Sequence, residues 1–145
     1  MKRIYTIGFT GKTAKEFFTK LEDAGVKRIL DIRLKNRSQL SGFAKKEDLK
    51  YFLMKINGIK YLHIPELAPT ENIMDSYKKK KIDWSEYETQ LSNLLEERKV
   101  ENNMRHEVSG GDCFLCSEEK PDLCHRRLVV EYLQKKLSHI TITHL

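Results

Sequence analysis

Apolar residues in this chain fall into short runs between polar stretches, and two periods alternate along it. Residues 3–8, Arg-Ile-Tyr-Thr-Ile-Gly, predict a first strand that Gly8 closes. After a loop over residues 9–12, Thr13 and Glu16 stand at the spacing of a capping box. Ala14, Phe17, Phe18 and Leu21 follow at helical spacing, and Gly25 is a natural helix stop. Residues 26–32 predict a second strand, ending in Asp31-Ile32-Arg33, whereas residues 34–44 show no period and read as a polar loop. Residues 46–57 predict a second helix with Leu49, Phe52, Leu53 and Ile56 on one face and Gly58 beyond it. A third strand over residues 60–64 runs into His63-Ile64-Pro65-Glu66-Leu67, and Pro65 and Pro69 prevent its extension.

Residues 70–82 read as a loop with at most one helical turn. Asp83 caps a third long helix whose buried stripe is Trp84, Tyr87, Leu91, Leu94 and Leu95, with a mostly polar far end over residues 97–105. Residues 112–117 predict a fourth strand and residues 121–137 an amphipathic helix. Residues 138–145 alternate at period two and predict a fifth strand. Strands alternating with helices define the α/β class: one domain over residues 1–145, with a mainly parallel sheet flanked by helices in a Rossmann-like three-layer arrangement. In such sheets ligands bind beyond the carboxyl ends of the strands. Thr10 and Lys12 follow strand one, Asp31 and Arg33 end strand two, and His63 and Glu66 end strand three. Cys116, Glu118 and Cys124-His125-Arg126-Arg127 follow strand four. Residues from distant parts of the chain are thereby expected to converge on one rim.

The composition, 39% hydrophobic and 33% charged, is that of a globular protein. No apolar run approaches the roughly 20 residues needed to span a bilayer, so no membrane partner is expected. The first residues enter a strand pattern without an apolar signal core, and a cytoplasmic location is expected. Three cysteines without a secretion signal argue against a disulfide framework. The formal charge of +6 is compatible with a phosphate-containing small molecule or a nucleic acid, although the run Lys78 to Lys81 carries much of the excess and such blocks usually form solvated faces.

Gly8-Phe9-Thr10-Gly11-Lys12-Thr13 resembles the end of a phosphate-binding P-loop, but Thr6 stands where the full pattern requires glycine, which excludes a Walker ATPase. Backbone N–H groups at a helix start can still hold one phosphate or carboxylate; alternatively, the two glycines only permit a tight turn. Cys113, Cys116, Cys124 and His125 offer the four ligands of a tetrahedral zinc. Two objections count against it. Positions 113 and 116 point to opposite faces of a strand, and adjacent helical residues diverge by about 100°. No cofactor is therefore expected, with zinc the lesser alternative.

Cys124 in a first helical turn beside His125 and two arginines is placed as a nucleophile, or else as an inert packed thiol. The spacing matches no Cys-x5-Arg loop, since Asp122 and Val130 occupy the sixth positions after Cys116 and Cys124. Arg33, Arg126 and Arg127 suit anion recognition through their planar forks, and Arg33 can equally pair with Glu118. Glu118 and Cys116 complete the expected reactive set; Glu66, Thr10 and Lys12 are expected on the substrate side.

Tyr5-Thr-Ile-Gly8, Asp31-Ile-Arg33, Tyr61-Leu-His-Ile-Pro-Glu-Leu67 and Leu115-Cys-Ser-Glu118…Cys124-His-Arg-Arg127, taken in that order, resemble the domain-of-unknown-function 488 family. The first loop departs from the family, which usually has histidine and serine where this chain has Phe9, Thr10 and Gly11. The resemblance implies an α/β fold and a shared polar site at Arg33, Glu66, Cys116, Glu118, Cys124, His125 and Arg126, and it implies no established reaction. The expectation is an enzyme acting on a phosphate-bearing substrate, with a non-catalytic nucleic-acid- or protein-binding module and a small metal-binding protein as the alternatives.

Overall fold

Five runs of apolar and β-branched residues become strands: β1 (Lys2–Gly8), β2 (Arg28–Asp31), β3 (Lys60–His63), β4 (Asp112–Cys116) and β5 (Ile140–His144). All pair in parallel, in the order β3-β2-β4-β1-β5. The structure, a computed structural model, describes residues 1–35, 42–103, 107–118 and 122–145. Glu119, Pro121, Arg105 and the loop positions 36–41 lie outside the described residues. Among those described, six helices connect and cover the sheet: α1 (Ala14–Ala24), α2 (Lys46–Phe52), α3 (Glu71–Lys78), α4 (Trp84–Arg98), α5 (Val100–Asn103) and α6 (His125–Lys136).

Parallel sheets bury both faces, and the middle strand β4 is buried at every residue. Its side chains alternate. Phe114 joins Ile4 and Leu30 against α4 and α6, through Leu91, Leu95, Val129 and Leu133. Cys113 and Leu115 join Ile7 and Ile29 against Phe17, Phe18 and Leu21 of α1 and Leu49 of α2. The two apolar layers on either side of one sheet are the expected three-layer arrangement.

The capping box forms as its residues dictate: Thr13 Oγ1 accepts the Glu16 N–H at 3.1 Å, and Gly25 ends α1 with φ +73°. The second helix runs as expected to Asn57, its last turn Leu53–Asn57 widening to a π-helix. Two expectations are corrected. Residues 70–82 are not a loop, because Thr70 caps α3 by accepting the Ile73 N–H at 3.2 Å. Ile73 and Tyr77 then lie one turn apart, and Tyr77 packs on Trp84 and Tyr87 with ring centroids 5.5 and 5.2 Å away. The last helix begins at His125, and Cys124 stands before it in extended conformation (φ −132°, ψ 139°) rather than inside its first turn.

Phe114 is wholly buried at the centre of this arrangement. Phe114→Ala should lower unfolding stability by about 3–5 kcal/mol through lost burial and the cavity left behind, read as a reduced urea midpoint with an unchanged slope.

Candidate functional site

The carboxyl ends of β1, β2 and β4 meet at one rim, and Gly8 sets how closely. A Cβ on Gly8 would lie 1.6 Å from the Glu118 carbonyl oxygen and 2.6 Å from Arg126 Nη1, so only glycine fits there. The turn after β4 can thus lie directly on the end of β1, where the Thr10 N–H donates to the Ser117 carbonyl at 3.0 Å. Gly8 therefore serves the close approach of two segments, a role that neither reading of its loop contained.

His125, at the start of α6, reaches across to β2. Its Nε2 lies 2.7 Å from the Ile32 carbonyl oxygen, which can only accept, so Nε2 carries the proton. The other nitrogen, Nδ1, faces the Cys116 sulfur at 3.2 Å. Cys116 Sγ, Cys124 Sγ and His125 Nδ1 all lie within 4.8 Å of one another, a set of donors able to hold a metal ion. The objection from adjacent helical residues fails because Cys124 is extended and not helical. The other objection stands: Cys113 is buried in the layer facing α1 and α2, apart from this cluster.

Burial opposes charge on the Cys116 thiol, but a hydrogen bond with Cys124, the N–H groups of Ser117 and Glu118, and the Arg126 guanidinium together bring its pKa below the usual cysteine value. Cys124 shifts the opposite way, pushed up by its hydrogen bond with Cys116 and by burial. The two thiols are thus shifted in opposite directions, and Cys116 is the sulfur of the pair whose charged form the surroundings favour. Burial pushes the Cys113 thiol up as well. The Tyr87 hydroxyl is raised by burial and by the two neighbouring sulfurs, so it stays protonated beside the cluster.

Next to Ile32, Arg33 is 2% exposed. Its Nε and Nη2 donate to the two Asp31 carboxylate oxygens, each at 2.8 Å, and its guanidinium carbon lies 5.3 Å from the centre of the Phe9 ring. Arg33 Nη1 is buried with no hydrogen-bond partner among the described residues. Tyr61 OH also donates to Asp31, and His63 Nε2 donates to the Arg33 carbonyl at 2.7 Å. Burial alone would raise the Asp31 carboxyl, and the Arg33 guanidinium overcomes it, leaving the pKa below the ordinary carboxylate value.

The other expected residues divide. Arg126 is wholly buried, with Nε donating to Thr6 Oγ1 at 3.2 Å and Nη1 to the Glu118 carbonyl, so it clamps α6 and the β4 turn onto β1. Arg127 turns to α4, where Nη2 lies 2.9 Å from Glu88 Oε1, and its Nη1 lies 3.4 Å from Glu131 Oε2 one turn along α6. Glu118 and Thr10 are exposed at the rim and Lys12 is half-buried. Glu66 is exposed on the turn Pro65–Leu67, its carbonyl held by Arg98 Nη1 at 2.7 Å. Sequence reasoning missed the Ile32 carbonyl, which no side chain announces, and treated Tyr87 only as part of an apolar stripe. It also missed His144, whose Nδ1 meets Thr6 Oγ1 at the end of β5.

An all-parallel α/β domain with a Cys/Cys/His cluster at its carboxyl rim is therefore the class of protein that fold and site define. The family profile described as "Domain of unknown function DUF488" matches residues 13–133, and the chain belongs to that family. No curated protein and no solved structure matches it.

Two outcomes follow from these pairings. In chelator-treated protein, alkylation of Cys116 followed by mass spectrometry should rise with pH through a midpoint below the free-thiol value of about 8.5, with Cys124 reacting only at higher pH and Cys113 silent in the folded state. Asp31→Asn should cost about 3–5 kcal/mol by leaving Arg33 buried without its counter-charge. Because the folded Asp31 pKa is depressed, its contribution is full above the unfolded value and fades as pH falls through about 4. Acid titration of stability should accordingly be shallower in the variant.

Proposed function

We propose that the chain is an enzyme acting on a phosphate-bearing substrate, a nucleotide or nucleic-acid component, at this rim. The reacting centre is the Cys116, Cys124 and His125 cluster, and Arg33 is the anion anchor. One observation carries the reading: His125 Nδ1 lies 3.2 Å from the Cys116 sulfur while Nε2 is fixed on the Ile32 carbonyl. A thiol, a base within reach of it and a third group orienting the base form the arrangement that activates sulfur. His125 takes the Cys116 proton, and the resulting thiolate is held by the N–H groups of Ser117 and Glu118 and by Cys124. The Glu118 side chain, exposed beside the cluster, handles protons on the solvent side. The substrate class follows from Arg33 Nη1, a buried donor without a partner among the described residues, and from the net charge of +6.

A second reading draws on Arg126, a fully buried cation tied to Thr6 and Glu118. It makes the cluster a structural lock in a non-catalytic module that binds nucleic acid or a protein. A panel of nucleotides, phosphate monoesters and diesters assayed for product release separates the two. The enzyme reading expects turnover that Cys116→Ser lowers at least about 100-fold, and a KM raised about tenfold by Arg33→Lys, which keeps charge but loses the fork. Thermal melts confirm that each variant is folded. Full activity in Cys116→Ser, or salt-sensitive nucleic-acid binding without turnover of any panel member, would sink it.

A further inference from the structure

We propose that Cys116, Cys124 and His125 form a binding site for one divalent ion of the zinc class, with three protein ligands and a fourth position left for water or a substrate oxygen. The inference rests on the reading of this cluster as the reacting centre and names the cofactor of that centre.

Zinc takes sulfur at about 2.3 Å and nitrogen at about 2.0–2.1 Å, so tetrahedral ligands sit about 3.5–3.8 Å apart. The three donor atoms lie within 4.8 Å of one another, and the Cys116 to His125 separation is 3.2 Å. Side-chain adjustments that change these separations by up to about 1 Å bring the donors to that spacing. The imidazole is already the correct tautomer. Nε2–H is committed to the Ile32 carbonyl at 2.7 Å, so Nδ1 presents a lone pair to the two sulfurs. A metal-bound histidine is typically held by such a contact from its other nitrogen.

Cys124 adds a further argument. It stands at the cap of α6 yet makes no side-chain cap hydrogen bond, at a position where serine, aspartate or asparagine would satisfy an orphan N–H. Its side chain serves the cluster and not the helix. Burial points the same way: Cys116 is 4% exposed, Cys124 2% and His125 9%. Soft ligands around an ion are served by low exposure, since only the fourth position of the ion has to meet water or substrate. Two thiolates and a neutral imidazole exactly offset the charge of a divalent ion, the two thiol protons leaving to solvent on binding. Two sulfurs and one nitrogen select zinc over magnesium or calcium, which take oxygen ligands. Three ligands and an open position are the pattern of catalytic rather than structural zinc, and such an ion polarises a phosphoryl oxygen.

The test uses the untagged full chain. Elemental analysis after purification should find about one equivalent of zinc per chain. After chelator treatment, added Co²⁺ should give the sulfur-to-cobalt charge-transfer band and the visible absorption of a tetrahedral site. Cys116→Ser, Cys124→Ser and His125→Gln should each weaken zinc binding at least about tenfold, whereas Cys113→Ser should leave it unchanged. Where a variant does not fold, the wild-type chain decides: added Zn²⁺ should protect both Cys116 and Cys124 from iodoacetamide. Zinc below about a tenth of an equivalent together with a silent cobalt spectrum overturns the inference, as does binding that survives loss of Cys116 and Cys124. If metal is absent but Cys116-dependent turnover of phosphate esters persists, the ion fails and the enzyme reading survives. One bound equivalent without any turnover leaves the ion standing and removes the enzyme reading.

Discussion

The hydrogen bond from His125 Nε2 to the Ile32 carbonyl governs the arrangement of the rim. It joins the end of β2 to the start of α6, two segments far apart in the chain, and fixes the imidazole in one orientation and one tautomer. Everything reactive nearby inherits its geometry from that bond. Nδ1 faces the sulfurs because Nε2 cannot, and of the two thiols Cys116 is the one shifted toward its charged form, because the turn after β4 directs backbone N–H groups at it. A carbonyl at a strand end has no pairing partner in the ladder, so giving it the imidazole satisfies a group that would otherwise be buried alone.

Around that bond the rim is built from buried charge. Arg33 and Asp31 form a bidentate pair under Phe9, and Arg126 ties β1, the β4 turn and α6 together. Such groups are costly to desolvate, and an apolar packing of the same volume is often as stable or more so. Their value here is positional. The Arg126 guanidinium holds α6 and the β4 turn, which carry the reactive atoms, onto β1, and Gly8 lets those segments touch where any larger residue would separate them.

The strands were legible because parallel strands are buried on both sides and read as compact apolar runs, and α1 was legible from Thr13, Glu16 and Gly25. That the carboxyl ends of β1, β2 and β4 meet at one rim followed from topology alone, whereas Arg127 leaves it for Glu88. What sequence could not give was set by distant partners. Residues 71–78 end in Lys78, the first of a lysine run, and have only two core-facing residues, so their helix depends on packing against Trp84 and Tyr87 and on the Thr70 cap. Whether Arg126 or Arg127 faces inward depended on where α6 begins, and its start at His125 instead of position 121 turned a geometric objection to a shared metal into its opposite. The main-chain oxygen of Ile32 is invisible to any pattern of side chains.

The strand order also bears on the birth of the molecule. β1 leaves the ribosome first, yet both of its neighbours, β4 and β5, come from the last third of the chain, with Tyr5 opposite Cys113 and Thr143. The one pairing closed early is β2 with β3, where Arg28 meets Lys60. Until β4 and β5 have been made, the nascent chain therefore carries an apolar segment with two unsatisfied edges, the circumstance in which chaperones are needed and in which folding through long-range contacts is slow.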